Sequence, residues 1–193
     1  MKLTKIFLLT AICLSLCGFK SVVTKKVDTK NSVIKWIGYK VTGQHEGTIT
    51  LRNGELNFDD TSNLIGGKFV MDMTTINTTD LEGGSKERLD NHLKNNDFFS
   101  VKKYNTADLV FKKVTKQKND SKIVVYLIDA DLTIKGITNP TTFKINISDN
   151  SAYANLKIDR TKFEIKYGSS SFFDGLKDRA IYDEFELNVN LKF

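Results

Sequence analysis

In the last ten residues, EFELNVNLKF, every second side chain is apolar. Phe185, Leu187, Val189, Leu191 and Phe193 share one face, and Glu184, Glu186, Asn188, Asn190 and Lys192 share the other. A period of two is the signature of a strand with one buried and one wet face. The same alternation recurs along the chain from about residue 31. It predicts strands at 33–41, 47–51, 54–58, 67–76, 106–114, 122–134, 142–147, 153–159 and 184–193. GTITL and GELNF form a hairpin bent at Arg52-Asn53, with Gly54 near the bend. KQKNDSK (116–122) is a polar turn, and GITNPT (136–141), with the single Pro140, is another. One stretch changes period. After Gly83-Gly84, Ser85 offers a cap, and Leu89, His92 and Leu93 recur at i, i+3 and i+4, which predicts a helix over about 85–96. Eight or nine antiparallel strands at these turn spacings make an all-β sandwich or barrel. Closure into a barrel removes the exposed edges.

Length fits one domain: 193 residues, 40% hydrophobic, with 12 Gly and one Pro, are too apolar for a disordered chain and too polar for several membrane spans. The first 17 residues stand apart. A short basic start, MKLTK, leads into an eleven-residue apolar run, 6–16, too short to span a bilayer and suited to an export signal. Residues 18–30 lack periodicity and read as a tether, leaving 31–193 as the domain. Cleavage after Cys17 would remove both cysteines. Cleavage before it would leave Cys17 as the N-terminus, and LSLC resembles a bacterial lipoprotein box in which that cysteine carries lipid. Leu16 departs from the small residue such a box prefers. On either path the domain has no disulfide and no thiol nucleophile. The expected location is the periplasm or cell envelope.

The formal charge of +6 falls to +4 once Lys2 and Lys5 leave with the signal, 27 basic against 23 acidic residues. Only Arg52, Arg88, Arg160 and Arg179 are arginines, so the bidentate contacts that nucleic-acid binders favour are scarce. Nucleic acid is not an expected partner. Weak peripheral attraction to an anionic membrane is compatible with the charge.

His45 and His92 are the only histidines. Asp80, Glu82, Glu87, Asp90 and Asp97 lie near His92 in the chain, yet no H-x-x-x-H, H-E-x-x-H or Cys-bearing pattern is present, so no metal is expected. The plainer reading makes His45 a turn residue between Gly43 and Gly47 and His92 a packing residue of the helix. GSSSFF lacks the G-x-S-x-G context of a hydrolase nucleophile, and no phosphate-binding glycine loop occurs. No catalytic residue and no cofactor are expected.

The spacing Trp36, Gly38, Lys40, Gly43, His45, Gly47 resembles the opening of the YceI-like polyisoprenoid-binding proteins. So do GGKFVMDMTTI followed by Asp80, Leu89-x-x-His92-Leu93-Lys94-x-x-Asp97-Phe98-Phe99, ADLTIKGITNP and KIDRTKFEIKYGS. The resemblance covers about 30–193. It implies a lipocalin-like, eight-stranded antiparallel barrel with a short helical insertion. It also implies an apolar tunnel holding a long isoprenoid or similar amphiphile, with no obligatory catalytic set. The alternation alone favours a fully packed core, and only the resemblance reverses that; a lipid-acting enzyme or a solid-core envelope stress protein are the rival readings. Under the resemblance the inward faces become the candidate tunnel lining: Trp36, Phe58, Phe69, Met71, Met73, Phe111, Tyr126, Ile128, Leu132, Phe143, Ile145, Leu156, Phe185 and Leu187. Phe98 and Phe99 narrow one mouth or anchor the insertion to the wall.

Overall fold

The computed structural model describes residues 21–117 and 123–193. The export signal, Cys13 and Cys17, and most of the polar turn at 116–122 lie outside the described residues. The elements run β1 (Val23–Lys26), β2 (Val33–Lys40), β3 (Gly43–Phe58), β4 (Leu64–Thr78), α1 (Gly83–Lys94), β5 (Thr106–Lys116), β6 (Val124–Ile134), β7 (Ile137–Ser148), β8 (Ser151–Asp159) and β9 (Ile181–Lys192). Short 3₁₀ turns at Arg160–Phe163 and Lys177–Arg179 precede β9.

All strand pairs are antiparallel. The order β3-β2-β9-β8-β7-β6-β5-β4 closes on itself because β4 also pairs with β3. The result is an eight-stranded barrel. β1 adds to the far half of β3, Val23 opposite Phe58 and Lys26 opposite Glu55, beyond the point where β2 pairs through Ile34 and Ile49. Part of the expected tether is therefore barrel wall. The break between β1 and β2 is a turn in which the Asp28 carboxylate accepts from the amides of Lys30 and Asn31.

Two expected turns are strand instead. The hairpin read at Arg52-Asn53 is a β-bulge inside one sixteen-residue strand: the ladder shifts between Leu51–Met71 and Asn53–Val70. Inward residues pass from Ile49 and Leu51 to Leu56 and Phe58, a change of parity that one extra residue produces without reversing the chain. Gly54 serves close packing there, since a Cβ would come within 2.8 Å of the Phe69 ring. The turn read at 136–141 is displaced. The β6–β7 hairpin turns at Lys135-Gly136, both with positive φ (53° and 73°), as a two-residue type I′ loop requires. Pro140 lies in β7 opposite Asp131. Counted from the hydrogen-bonded Ile134–Ile137 pair, that pairing is non-hydrogen-bonded, so β6 asks no N–H of it.

The helix ends two residues earlier than predicted, at Lys94, and begins two residues earlier, at Gly83. Ser85 does not cap it; the N-cap is Glu82, without a side-chain cap, and the Ser85 hydroxyl accepts from Arg88 instead. Asp90 fastens the helix to the barrel by accepting from the Thr78 amide (2.7 Å) and from Lys86 (2.6 Å). Leu93 is its one buried side chain.

Candidate functional site

Inside the barrel the two ends differ. At the end formed by the β3–β4 and β7–β8 turns, the interior is packed solid. Leu56 and Ile128 are fully buried, the Phe58 and Phe193 rings lie 6.0 Å apart, and the Tyr126 hydroxyl accepts from the Leu64 amide. From there toward the α1 end runs an apolar cavity of about 160 Å³. Its wall continues along β9 from Leu191 and Val189 past Leu187 and Phe185 to Ile181, so it is long and narrow. It reaches solvent beside Tyr182, whose side chain is 55% exposed.

Of the sixteen residues predicted as lining, thirteen border this cavity: Trp36, Phe69, Met71, Met73, Phe98, Phe99, Phe111, Leu132, Phe143, Ile145, Leu156, Phe185 and Leu187. Phe58, Tyr126 and Ile128 do not; they belong to the packed end. Phe98 and Phe99 border the cavity and also stack edge to face with each other, so anchoring and narrowing are one arrangement. The opening motif has a steric reason. A Cβ on Gly47 would run into the Asn77 carbonyl and the Trp36 indole, so glycine lets Trp36 lie across β3, where its Nε1 donates to the Thr48 carbonyl (3.2 Å).

The histidines have separate surroundings. His45 is a strand residue of β3 opposite Gly38, rather than a turn residue. Its Nδ1 lies 2.8 Å from Asp80 Oδ2, and Asp80 Oδ1 accepts from the Glu46 amide. Partial burial opposes ionisation of Asp80, but His45 and the amide together outweigh it and hold the carboxyl below its usual range. The pair thus ties β3 to the start of the helical insertion. His92 packs between Phe98 (5.4 Å) and Tyr167 (4.4 Å) at the mouth. No cluster of three or more His, Cys, Asp or Glu side chains able to hold a metal occurs among the described residues.

The sequence reading missed Arg160. It is 2% exposed and borders the cavity mouth. Its Nε donates to the Tyr182 carbonyl (3.0 Å), Nη1 to Ile165 (2.6 Å) and Nη2 to Ile181 (3.0 Å), while its guanidinium packs over the Phe98 ring. Burial works against its charge, and the nearby carboxylates of Asp183, 3.5 Å away, and Asp159 support it. One signal could have found it: in β8 the inward residues are Ala152, Ala154, Leu156 and Ile158, and Arg160 is next at the same parity. Tyr39 borders the same rim. Burial, then the Glu186 carboxylate, push its phenol above its ordinary value.

A closed antiparallel barrel around an apolar cavity that opens beside a helical insertion defines a lipocalin-like binding architecture. The YceI-like domain model matches residues 26–193, and the chain belongs to that family. Among solved structures it resembles Burkholderia cenocepacia BcnA (TM-score 0.65, 17% identity, 86% of this chain and 98% of that one). It also resembles a Campylobacter jejuni YCEI protein (0.55, 20%, 98% of each). A polyisoprenoid binding domain from Saccharophagus degradans implicated in plant cell wall breakdown is a further neighbour (0.57, 11%, 89% and 97%). A UPF0312 protein of Staphylococcus aureus strain USA300 is 37% identical over 89 residues, 42% of this chain and 47% of that protein. The chain thus spans about half the length of the curated relatives it matches.

Proposed function

We propose that this protein binds the apolar chain of a polyisoprenoid or similar long amphiphile inside the barrel and carries or stores it without covalent chemistry. The observation that carries this reading is the cavity itself: long, narrow, apolar along its length and open at one end. A fully packed core would leave no such space. A name given to a structural neighbour, polyisoprenoid binding domain, agrees with it. Each buried CH₂ contributes about 0.8 kcal/mol, so a twenty-carbon tail gains on the order of 10 kcal/mol before its entropy loss. A 150 Å³ apolar cavity holds one benzene-sized molecule. In this conformation the cavity, about 160 Å³, therefore has room for about one isoprene unit. A longer tail enters by turning the flexible side chains of Met71 and Met73, while its head stays at the rim. We further propose that residues 1–17 direct export to the periplasm or envelope, with Cys17 either removed or lipid-bearing.

The test is mass spectrometry of the organic extract of natively purified protein. A long-chain amphiphile at near-equal molar ratio is expected. Extracts free of lipid, from protein purified without detergent, would replace the carrier reading with a barrel that encloses only its own side chains.

A further inference from the structure

We propose that the rim of the cavity docks on a lipid bilayer, the segment 166–182 placing its aromatic side chains in the interfacial layer. The docking rests on the surface alone; that lipid then passes between bilayer and cavity rests on the carrier reading above. Five aromatic side chains are exposed among the described residues, and four of them, Tyr167, Phe172, Phe173 and Tyr182, fall in this one segment. Phe172 and Phe173 are 48% and 51% exposed, although burial of a phenylalanine is the ordinary outcome of folding. Val41, 51% exposed, joins them, since its amide donates to the Ala180 carbonyl (3.2 Å).

The segment is held in place rather than loose. The amides of Phe172 and Phe173 donate to the Ser169 carbonyl, and the Ile181 amide donates to the Gly168 carbonyl (2.8 Å). Ser169 is fully buried, and Arg160 fastens Ile165, Ile181 and Tyr182 from below. Hydrogen bonding therefore presents these rings to solvent, and an exposed apolar cluster of this kind marks an interaction surface. Its position is specific: Tyr182 belongs both to the cluster and to the wall of the cavity, and Ile181 beside it lines that wall.

The charges select the partner. Lys166 lies 4.8 Å over the Phe172 ring, and Lys40, Lys177 and Arg179 flank the cluster. Of the nearby acids, Glu164 pairs with Lys166 (2.6 Å), Asp183 with Ser171 and Arg160, and Glu184 with Lys157 (3.8 Å). Asp174 and Asp178 are the remaining acids of the segment. The balance is mildly cationic among aromatics, which matches a phosphate headgroup layer, where Tyr and Phe lie with the ring in the apolar zone and Lys reaches the phosphates. A stable protein interface uses roughly 20–30 residues a side. One segment with four exposed aromatic side chains, joined by Val41, suits shallow insertion better than a second copy of the chain.

The experiment uses the chain from residue 18 onward, so that neither the apolar run 6–16 nor an acyl group at Cys17 contributes, with vesicles of phosphatidylethanolamine and phosphatidylglycerol at three to one. Sedimentation with vesicles is expected, and F172S/F173S should lower the bound fraction at least fivefold, whereas Tyr153→Ser, on the wall of the barrel, should leave it unchanged. Should the serine pair disturb folding, Phe173→Trp reports directly: its emission is expected to shift to shorter wavelength on adding vesicles. No vesicle binding by the parent, equal binding by a folded F172S/F173S, or an unshifted F173W emission overturns the proposal. So does a dimer that the serine pair dissociates while vesicles have no effect. Lipid found in the extract of a protein that ignores vesicles would sink the docking and spare the carrier reading; the reverse result would do the opposite.

Discussion

Replacing Arg160 by Lys keeps a charge and removes the planar fork that three carbonyls share. A buried carbonyl left without a donor costs about 1–3 kcal/mol, so R160K is expected to lose about 3 kcal/mol in urea unfolding, and to loosen the rim that Ile181 and Tyr182 form. His45→Gln gives the contrasting case. The His45–Asp80 pair is partly exposed, so its loss should cost about 1 kcal/mol and leave lipid retention unchanged. Because the Asp80 carboxyl is held below its ordinary range, its stabilisation is present above the unfolded pKa of about 3.9 and fades as pH falls below it. The deficit of H45Q should therefore shrink in acid. Unfolding midpoints at neutral and low pH check both statements, and an R160K as mild as H45Q would show that the fork is dispensable.

Among elements, β3 and β8 make opposite demands on strand length. Arg52 is the extra residue of the β3 bulge, so its deletion leaves Leu56 and Phe58 facing inward on a regular ladder and removes only local curvature. β8 meets β9 without a register shift, so deleting Asn155 turns Leu156 and Ile158 outward, each worth about 1.5–3 kcal/mol. We expect the Arg52 deletion to fold with reduced stability and the Asn155 deletion to remain unfolded, as circular dichroism would report. A sequence reader meets Arg52-Asn53 between two alternating runs, with Gly54 near the bend, and sees a hairpin. What overrides it is a tertiary contact, the Phe69 ring over Gly54, which no local pattern carries. Pro140 misleads for a related reason: the turn residue beside it, Gly136, is the real one, and an antiparallel strand tolerates proline where the pairing needs no N–H.

Over the whole molecule, alternation shows which side chains enter the barrel but not how deep they sit. That is why Phe58, Tyr126 and Ile128 share the inward face of the lining residues and yet belong to the packed end. A charge at an inward parity reads as the end of a strand, whereas two of the three carbonyl partners of Arg160 come from a segment about twenty residues further on. Depth decides the effect of blocking. Leu132 borders the cavity and is 3% exposed, so Leu132→Trp should exclude the bound chain and cut lipid retention sharply, while Lys192→Ala on the outer face should leave it unchanged. Lipid analysis of both proteins, with folding verified, decides between them. The closure of the barrel has a consequence in time. β2 pairs with β9, Val33 opposite Asn190, so one seam joins residues 157 positions apart in the chain. Such distant pairing carries the largest loop-closure cost of any seam in the barrel, whose other strand pairs are consecutive in the chain, so it is the seam expected to form last. Until β9 docks, β2 and β8 present two bare edges beside an apolar trough, the form in which a sheet most readily captures a neighbouring chain. Docking of β9, Ile181–Lys192, thus governs both when the cavity comes into being and how long the folding protein stays prone to aggregation.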